Sequence, residues 1–158
     1  MRIALVVSRY HAFVTERLEA GARAALAEAG LAADDVVTFA VPGAFELAQC
    51  AERVAATGRW SAVACLGCLI KGDTPHFDYI ARAASQGISQ AAQRTGVPIT
   101  FGVLTTNTAE EALSRSDDSP ANKGREAALA GLDLARLYAR LDADGDAPGG
   151  GSRSAGPS

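Results

Sequence analysis

The feature that most restricts this chain is a regular alternation of short apolar, β-rich runs with longer segments patterned at the helical period. Residues 2–8 form one apolar run, 36–40 a second, 61–70 a third and 99–104 a fourth. Between the first two, residues 12–30 put Leu18, Ala22, Ala25, Leu26 and Ala29 on one stripe, and Gly30 follows as a stop signal. Residues 44–57 make a second helical segment closed by Gly58. Residues 77–95 make a third, with Ile80, Ala84, Gly87, Ile88 and Ala91 inward and Gly96 at its end. Pro98 introduces the fourth strand, and helices over 108–115 and 122–141 complete the pattern. Strand and helix repeated four times predict an α/β, three-layer sandwich: a four-stranded parallel sheet with helices on both faces and right-handed crossovers. The run 61–70 is apolar almost throughout, as a strand buried on both faces must be.

A chain of 158 residues fits one domain. That domain is assigned to residues 1–141. From Asp142 to Ser158 the sequence is almost entirely Asp, Gly, Pro, Ser and Ala, so 142–158 is expected to be a disordered tail that adds nothing to the core. Aromatics are only 6% of the chain and alanine fills much of the apolar quota, which lets helices sit close to the sheet. The net charge is −3 with no basic stripe, which argues against nucleic acid and anionic membranes as partners. No apolar run approaches the ~18 residues of a membrane span. The stretch Ile3–Val7 is too short for a signal peptide and no cleavage site follows it, so a cytoplasmic protein is expected.

Three cysteines are present, and Cys65-Leu66-Gly67-Cys68 has the spacing of a metal or redox pair. The pair lies in the third strand, where residues three apart point to opposite faces. A structural role is therefore expected, with no metal site. An odd count without an export signal also argues against disulfides.

In an open parallel sheet ligands bind beyond the carboxyl ends of the strands. The segments expected there are Ser8-Arg9-Tyr10-His11, Val41-Pro42-Gly43-Ala44-Phe45-Glu46, Lys71-Gly72-Asp73-Thr74-Pro75-His76-Phe77 and Thr105-Thr106-Asn107-Thr108. In the third segment Gly72 permits close backbone approach, and Asp73 or Thr74 can cap the helix beginning near Pro75. The same helix end offers amides to a phosphate. His76 falls in its first turn, and histidine is suited to proton transfer near neutrality. A plain capping turn with a surface histidine explains these residues equally well. Glu46 suits a helix N-terminus through the dipole, or the hydroxyls of a polyol. Tyr10 stacks on a planar ring or plugs the core edge. Arg115 and Lys123 flank residues 116–122, either as solvated charges or, for Arg115, as a bidentate phosphate ligand. Neither G-x-G-x-x-G nor a P-loop occurs, so nothing points to dinucleotides or nucleoside triphosphates.

Four motifs in order resemble the lumazine synthase family across nearly all of residues 2–140. They are Val41-Pro42-Gly43-Ala44-Phe45-Glu46-Leu47, Ile70-Lys71-Gly72-Asp73-Thr74-Pro75-His76-Phe77-Asp78-Tyr79-Ile80, Phe101-Gly102-Val103-Leu104-Thr105-Thr106, and Asn122-Lys123-Gly124 before an alanine-rich helix. The resemblance implies a flavodoxin-like sandwich. It also implies a transferase of riboflavin biosynthesis that condenses 5-amino-6-(D-ribitylamino)uracil with 3,4-dihydroxy-2-butanone 4-phosphate. The product is 6,7-dimethyl-8-ribityllumazine, released with phosphate and water without any metal or organic cofactor. By position, His76 matches the proton-transfer histidine and Arg115 the phosphate-binding arginine. Tyr10 stands where the family has an aromatic that stacks on the uracil. Ala44, Phe45 and Glu46 match the ribityl-binding segment, and Cys68, Leu69 and Ile70 the strand end whose backbone reads the pyrimidine. Asp73 and Thr74 match the phosphate loop, while Phe101 and Lys123 complete the site.

Phe101 opens the fourth strand whereas His76 follows the third, so a strand length of some 20 Å separates them. Phe101 is therefore expected to serve a neighbour's site. The resemblance implies the same, a pentamer-based homo-oligomer with sites between adjacent subunits, together with functional coupling to riboflavin synthase. Two departures bear on larger shells. The family often has an extra strand before the equivalent of Ile3, and Asp118-Ser119-Pro120-Ala121 differs from the family's usual loop. A pentamer or a pair of pentamers is expected over a hollow icosahedral shell. His11 replaces a common Asn, and Lys71 a common Arg. The rival readings are a non-catalytic lumazine or flavin carrier or sensor, and a generic flavodoxin-like signalling domain. A receiver would need an acidic cluster after its first strand, which Ser8-Arg9-Tyr10-His11 does not supply.

Overall fold

A computed structural model describes residues 1–145. The four apolar runs become β1 (Ile3–Ser8), β2 (Val36–Val41), β3 (Ala62–Ile70) and β4 (Ile99–Thr106). The helices are α1 (Ala12–Glu28), α2 (Leu47–Ala55), α3 (His76–Thr95), α4 (Ala109–Ser114) and α5 (Lys123–Gly145). A 3-10 turn, Ala44–Glu46, leads into α2. All strand pairs are parallel, in the order β2-β1-β3-β4. The chain steps outward from β1 to β2, then back past β1 to β3 and β4. With one crossover handedness this reversal sends α1 to one face and α2 and α3 to the other.

Side-chain parity divides the core accordingly. Ile3, Leu5 and Val7 of β1 and Ala62, Ala64, Leu66 and Cys68 of β3 meet α1 and α5. Ala4, Val6, Val63, Cys65 and Val103 meet α2 and α3. Cys65 and Cys68 thus occupy opposite sides of the sheet, as the strand period requires. Burial pushes both thiols up, that of Cys68 to about 11, so neither is a thiolate near neutrality. All three cysteines are unpaired.

Small residues set the spacing of the layers. A β-carbon added at Gly87 would stand 2.7 Å from the Ala48 β-carbon, so α2 and α3 touch almost backbone to backbone. One added at Gly102 would stand 2.9 Å from the Ala127 β-carbon, which fixes how near α5 lies to β4. At Gly124 it would overlap the Leu18 carbonyl, where α5 crosses α1.

Several boundaries differ from the sequence reading, among them the start of the second helical segment, where 44–46 form the 3-10 turn, and two others have a clear physical cause. Strand β4 runs on through Thr105 and Thr106, because Leu69 and Ile70 of the longer β3 continue to pair with them and the Lys71 amide donates to the Thr106 carbonyl at 2.8 Å. Helix α5 continues to Gly145, so 142–145 are helix rather than tail. A helix already nucleated extends through Asp and Ala at little cost, even with no buried face to hold it. Residues 146–158, the rest of the expected tail, lie outside the described residues. Among the described residues no helix is long and apolar enough to cross a membrane.

The Gly124 contact supplies a test. Gly124→Ala should lower stability by about 3 kcal/mol or more, since backbone rather than a movable side chain blocks the methyl group. Gly72→Ala, whose β-carbon meets nothing within 4 Å, should change it by less than about 1 kcal/mol. Urea unfolding of the two variants beside the parent makes the comparison.

Candidate active site

Strand order reverses between β1 and β3, and a crevice opens at the carboxyl ends of these two strands. Its volume is about 600 Å³. Tyr10 and His11 come to it from the β1–α1 turn, Gly43, Ala44, Phe45 and Glu46 from the turn into α2, and Leu69 and Ile70 from the end of β3. Gly72, Thr74, His76, Phe77 and Ile80 come from the β3–α3 loop and the start of α3.

Local hydrogen bonds hold these segments in register. Beyond the β1–β2 ladder the Arg9 amide donates to the Val41 carbonyl at 2.8 Å and the Tyr10 amide to the Pro42 carbonyl at 3.1 Å, which ties the first two loops together. The chain then reverses through His11, whose φ of 58° and ψ of 48° are left-handed. This is the one described non-glycine residue with positive φ, and histidine belongs to the few side chains that tolerate it. The His11 carbonyl accepts from the amides of Val14 and Thr15 and starts α1. Tyr10 remains 66% exposed and Phe45 60%, so both present free ring faces at the crevice mouth. Ala44 is buried and forms floor.

At the start of α3 the capping residue is Pro75, and no side chain caps the helix. Neither Asp73 nor Thr74 takes the capping role expected of them; Pro75 preorganises the turn by its fixed φ instead. The Asp78 amide donates to the Pro75 carbonyl at 3.1 Å, so at the head of this 20-residue helix the His76 and Phe77 amides are the ones open to an outside acceptor, with the dipole favouring an anion.

Phe101, Arg115 and Lys123 do not reach this crevice. They line a second hollow of about 540 Å³ along the outer edge of β4, with Val103, Leu104, Thr105, Thr106, Ala121 and Glu126. Phe101 pairs in register with Cys65, five residues before the end of β3, which places it well back along the sheet. The Lys123 amide donates to the Arg115 carbonyl at 2.9 Å and holds the two cations on adjoining turns. Each contacts only a neighbouring carboxylate, Arg115 with Glu111 at 3.8 Å and Lys123 with Glu126 at 3.1 Å. Such exposed pairs are worth about 0.5 kcal/mol or less, so an incoming anion displaces them easily.

Two more predicted residues stand apart. The Cys68 side chain faces the α1/α5 core, which leaves only its backbone for recognition, and Asp73 is exposed on its loop without lining the crevice. The sequence reading of the site overlooked Asn122, although it begins a helix and belongs to the capping class. Its buried amide oxygen accepts from the Gly124 and Arg125 amides, and its Nδ2 donates to the carbonyls of Arg17 and Asp117. It thereby fixes the turn that carries Lys123. His11 was also left out of the site. Among the described residues no group of three or more His, Cys, Asp and Glu side chains could hold a metal ion.

Residues 1–139 match the family model described as 6,7-dimethyl-8-ribityllumazine synthase. A protein of Chlorobium phaeovibrioides that bears this same description is 47% identical over 137 residues, which cover 87% of this chain and 88% of that relative. The likeness therefore spans both hollows.

Burial lowers the His11 pKa from its ordinary 6.5. The unfolded chain binds this proton first as pH falls, so the stability from keeping His11 neutral is present above 6.5 and is lost below it. Between about pH 8 and about pH 5.5, urea midpoints should fall further for the parent than for His11→Asn, which keeps the left-handed turn.

Proposed function

The chain belongs to the 6,7-dimethyl-8-ribityllumazine synthase family, and we propose that it makes its product in a site that two subunits complete together. The reaction condenses 5-amino-6-(D-ribitylamino)uracil with 3,4-dihydroxy-2-butanone 4-phosphate, the penultimate step of riboflavin biosynthesis. The 5-amino group attacks the ketone and loses water to form a Schiff base. Removal of the proton next to the imine carbon expels phosphate and leaves an enol. Its keto form is attacked by the ribitylamino nitrogen, and loss of a second water closes the ring.

The observation that carries the two-subunit reading is the distribution of charge. The crevice has an aromatic face, a carboxylate and two histidines, yet neither Arg nor Lys lines it. A phosphate-bearing substrate needs cations, and Arg115 and Lys123 stand in the other hollow with Phe101. A neighbouring subunit presenting its β4 edge to the crevice would bring the halves together. Within that site Tyr10 stacks on the uracil, and the backbone at Cys68, Leu69 and Ile70 reads its polar edge. Ala44, Phe45 and Glu46 take the ribityl chain, with the Glu46 carboxylate accepting from its hydroxyls. Asp73, Thr74 and the first-turn amides of α3 border the phosphate, which the neighbour's Arg115 neutralises as it leaves. His76 carries protons between nitrogen, carbon and oxygen. Phe101 and Lys123 of the neighbour close the site.

No cofactor enters these steps. The assembly is a pentamer-based homo-oligomer, its compartment is the cytoplasm, and its product passes to riboflavin synthase. A carrier or sensor of lumazine would have no use for His76 or Arg115.

Turnover is measured by lumazine fluorescence together with phosphate release, after subtraction of the slow uncatalysed condensation. His76→Ala and Arg115→Ala should each lose about 100-fold or more in kcat/KM. Mixing the two variants after reversible dissociation should restore activity, because about a quarter of randomly formed interfaces pair an intact crevice with an intact β4 edge. A mixture no more active than its parts would place both residues in a site within one subunit. Tight binding of lumazine by the parent without turnover would favour the carrier.

A further inference from the structure

Beside Tyr10 stands a crevice residue to which the reaction above assigns nothing. The His11 and Tyr10 rings meet edge to face, with centroids 4.5 Å apart and planes at 61°. Phe13 also meets the His11 ring edge to face, at 5.8 Å and 88°. The three rings form a row that begins at the crevice and ends on the first turn of α1. We propose that His11 is a positioning residue that sets the orientation of the Tyr10 ring for stacking on the uracil, an inference that rests on the stacking role given to Tyr10.

Three observations converge on this assignment. Tyr10 is 66% exposed, so the core does not fix its side chain. His11 is held by its backbone. Its left-handed φ and ψ and the two amides donating to its carbonyl, at 2.9 and 3.1 Å, fix the backbone and so the direction of the bond that carries the imidazole. The histidine also lines the same crevice as the ring it supports. Burial keeps the imidazole neutral near neutral pH, which suits contact with two aromatic neighbours. A flexible ring must be ordered when substrate binds, whereas a braced ring has lost that freedom beforehand. The benefit therefore falls on binding the ribitylaminouracil rather than on the chemical steps.

The test separates ring from backbone. His11→Asn and His11→Gly both accept the left-handed conformation, and both remove the imidazole. Tyr10→Ala is measured in parallel. Both His11 variants should raise KM for the ribitylaminouracil by about three- to ten-fold and leave kcat within about two-fold. They should also weaken the induced circular dichroism of bound 6,7-dimethyl-8-ribityllumazine, a signal that reports ring geometry. Unchanged KM and induced signal in both variants, with Tyr10→Ala impaired, would overturn the role of His11 and leave stacking intact. A fall in kcat at unchanged KM would also overturn it, by placing the imidazole in the chemistry. If Tyr10→Ala itself binds normally, the stacking reading fails, and the inference about His11 fails with it.

Discussion

Strand β3 has no surface left for water over most of its length. It pairs with β1 on one side and β4 on the other, and its two faces alternate between the two cores. Seven of its nine residues are buried. A segment so enclosed cannot carry polar side chains, because each would need a partner the surrounding layers do not contain. The polar chemistry is therefore pushed to the strand's carboxyl end, where Leu69 and Ile70 emerge between the loops that bear Tyr10, Glu46 and His76. The same enclosure explains why Cys65 and Cys68, despite a suggestive spacing, serve as small apolar side chains with depressed reactivity.

How much of this was legible beforehand depended on the range of the interactions involved. Strands and helices declared themselves through period, and Gly30, Gly58 and Gly96 marked turns that indeed take positive φ. Local signals failed where pairing across the sheet decided the outcome. Nothing within Thr105 and Thr106 says that they remain strand; the length of β3 beside them does. The start of α3 misled for a different reason. Asp73 and Thr74 have capping chemistry, yet Pro75 alone shapes the turn. Asn122 could have been found, since it is a capping type before a helix. Its further bond to the Arg17 carbonyl, 105 residues away in sequence, could not.

The candidate residues, some from their place at the strand ends and others from the resemblance alone, divide between two surfaces. Tyr10, Ala44, Phe45, Glu46, Leu69, Ile70, Thr74 and His76 gather at the strand-order reversal, and Phe101 with the cations Arg115 and Lys123 lines the open β4 edge. Either surface alone is chemically ordinary. The first is an apolar-rich crevice with one carboxylate and an uncapped helix end. The second has two cations loosely paired to their neighbours.

The glycine and alanine seams between layers have a consequence for the chain's descendants. At Gly87, Gly102 and Gly124 an added β-carbon would fall within 3 Å of an opposing atom. None of these seams accepts a substitution in place, since nothing smaller than glycine exists and anything larger must move its neighbour. Adaptation to heat through bulkier interior residues is thus closed along these lines. Change is freer at the solvent-facing helix positions, which meet no such wall.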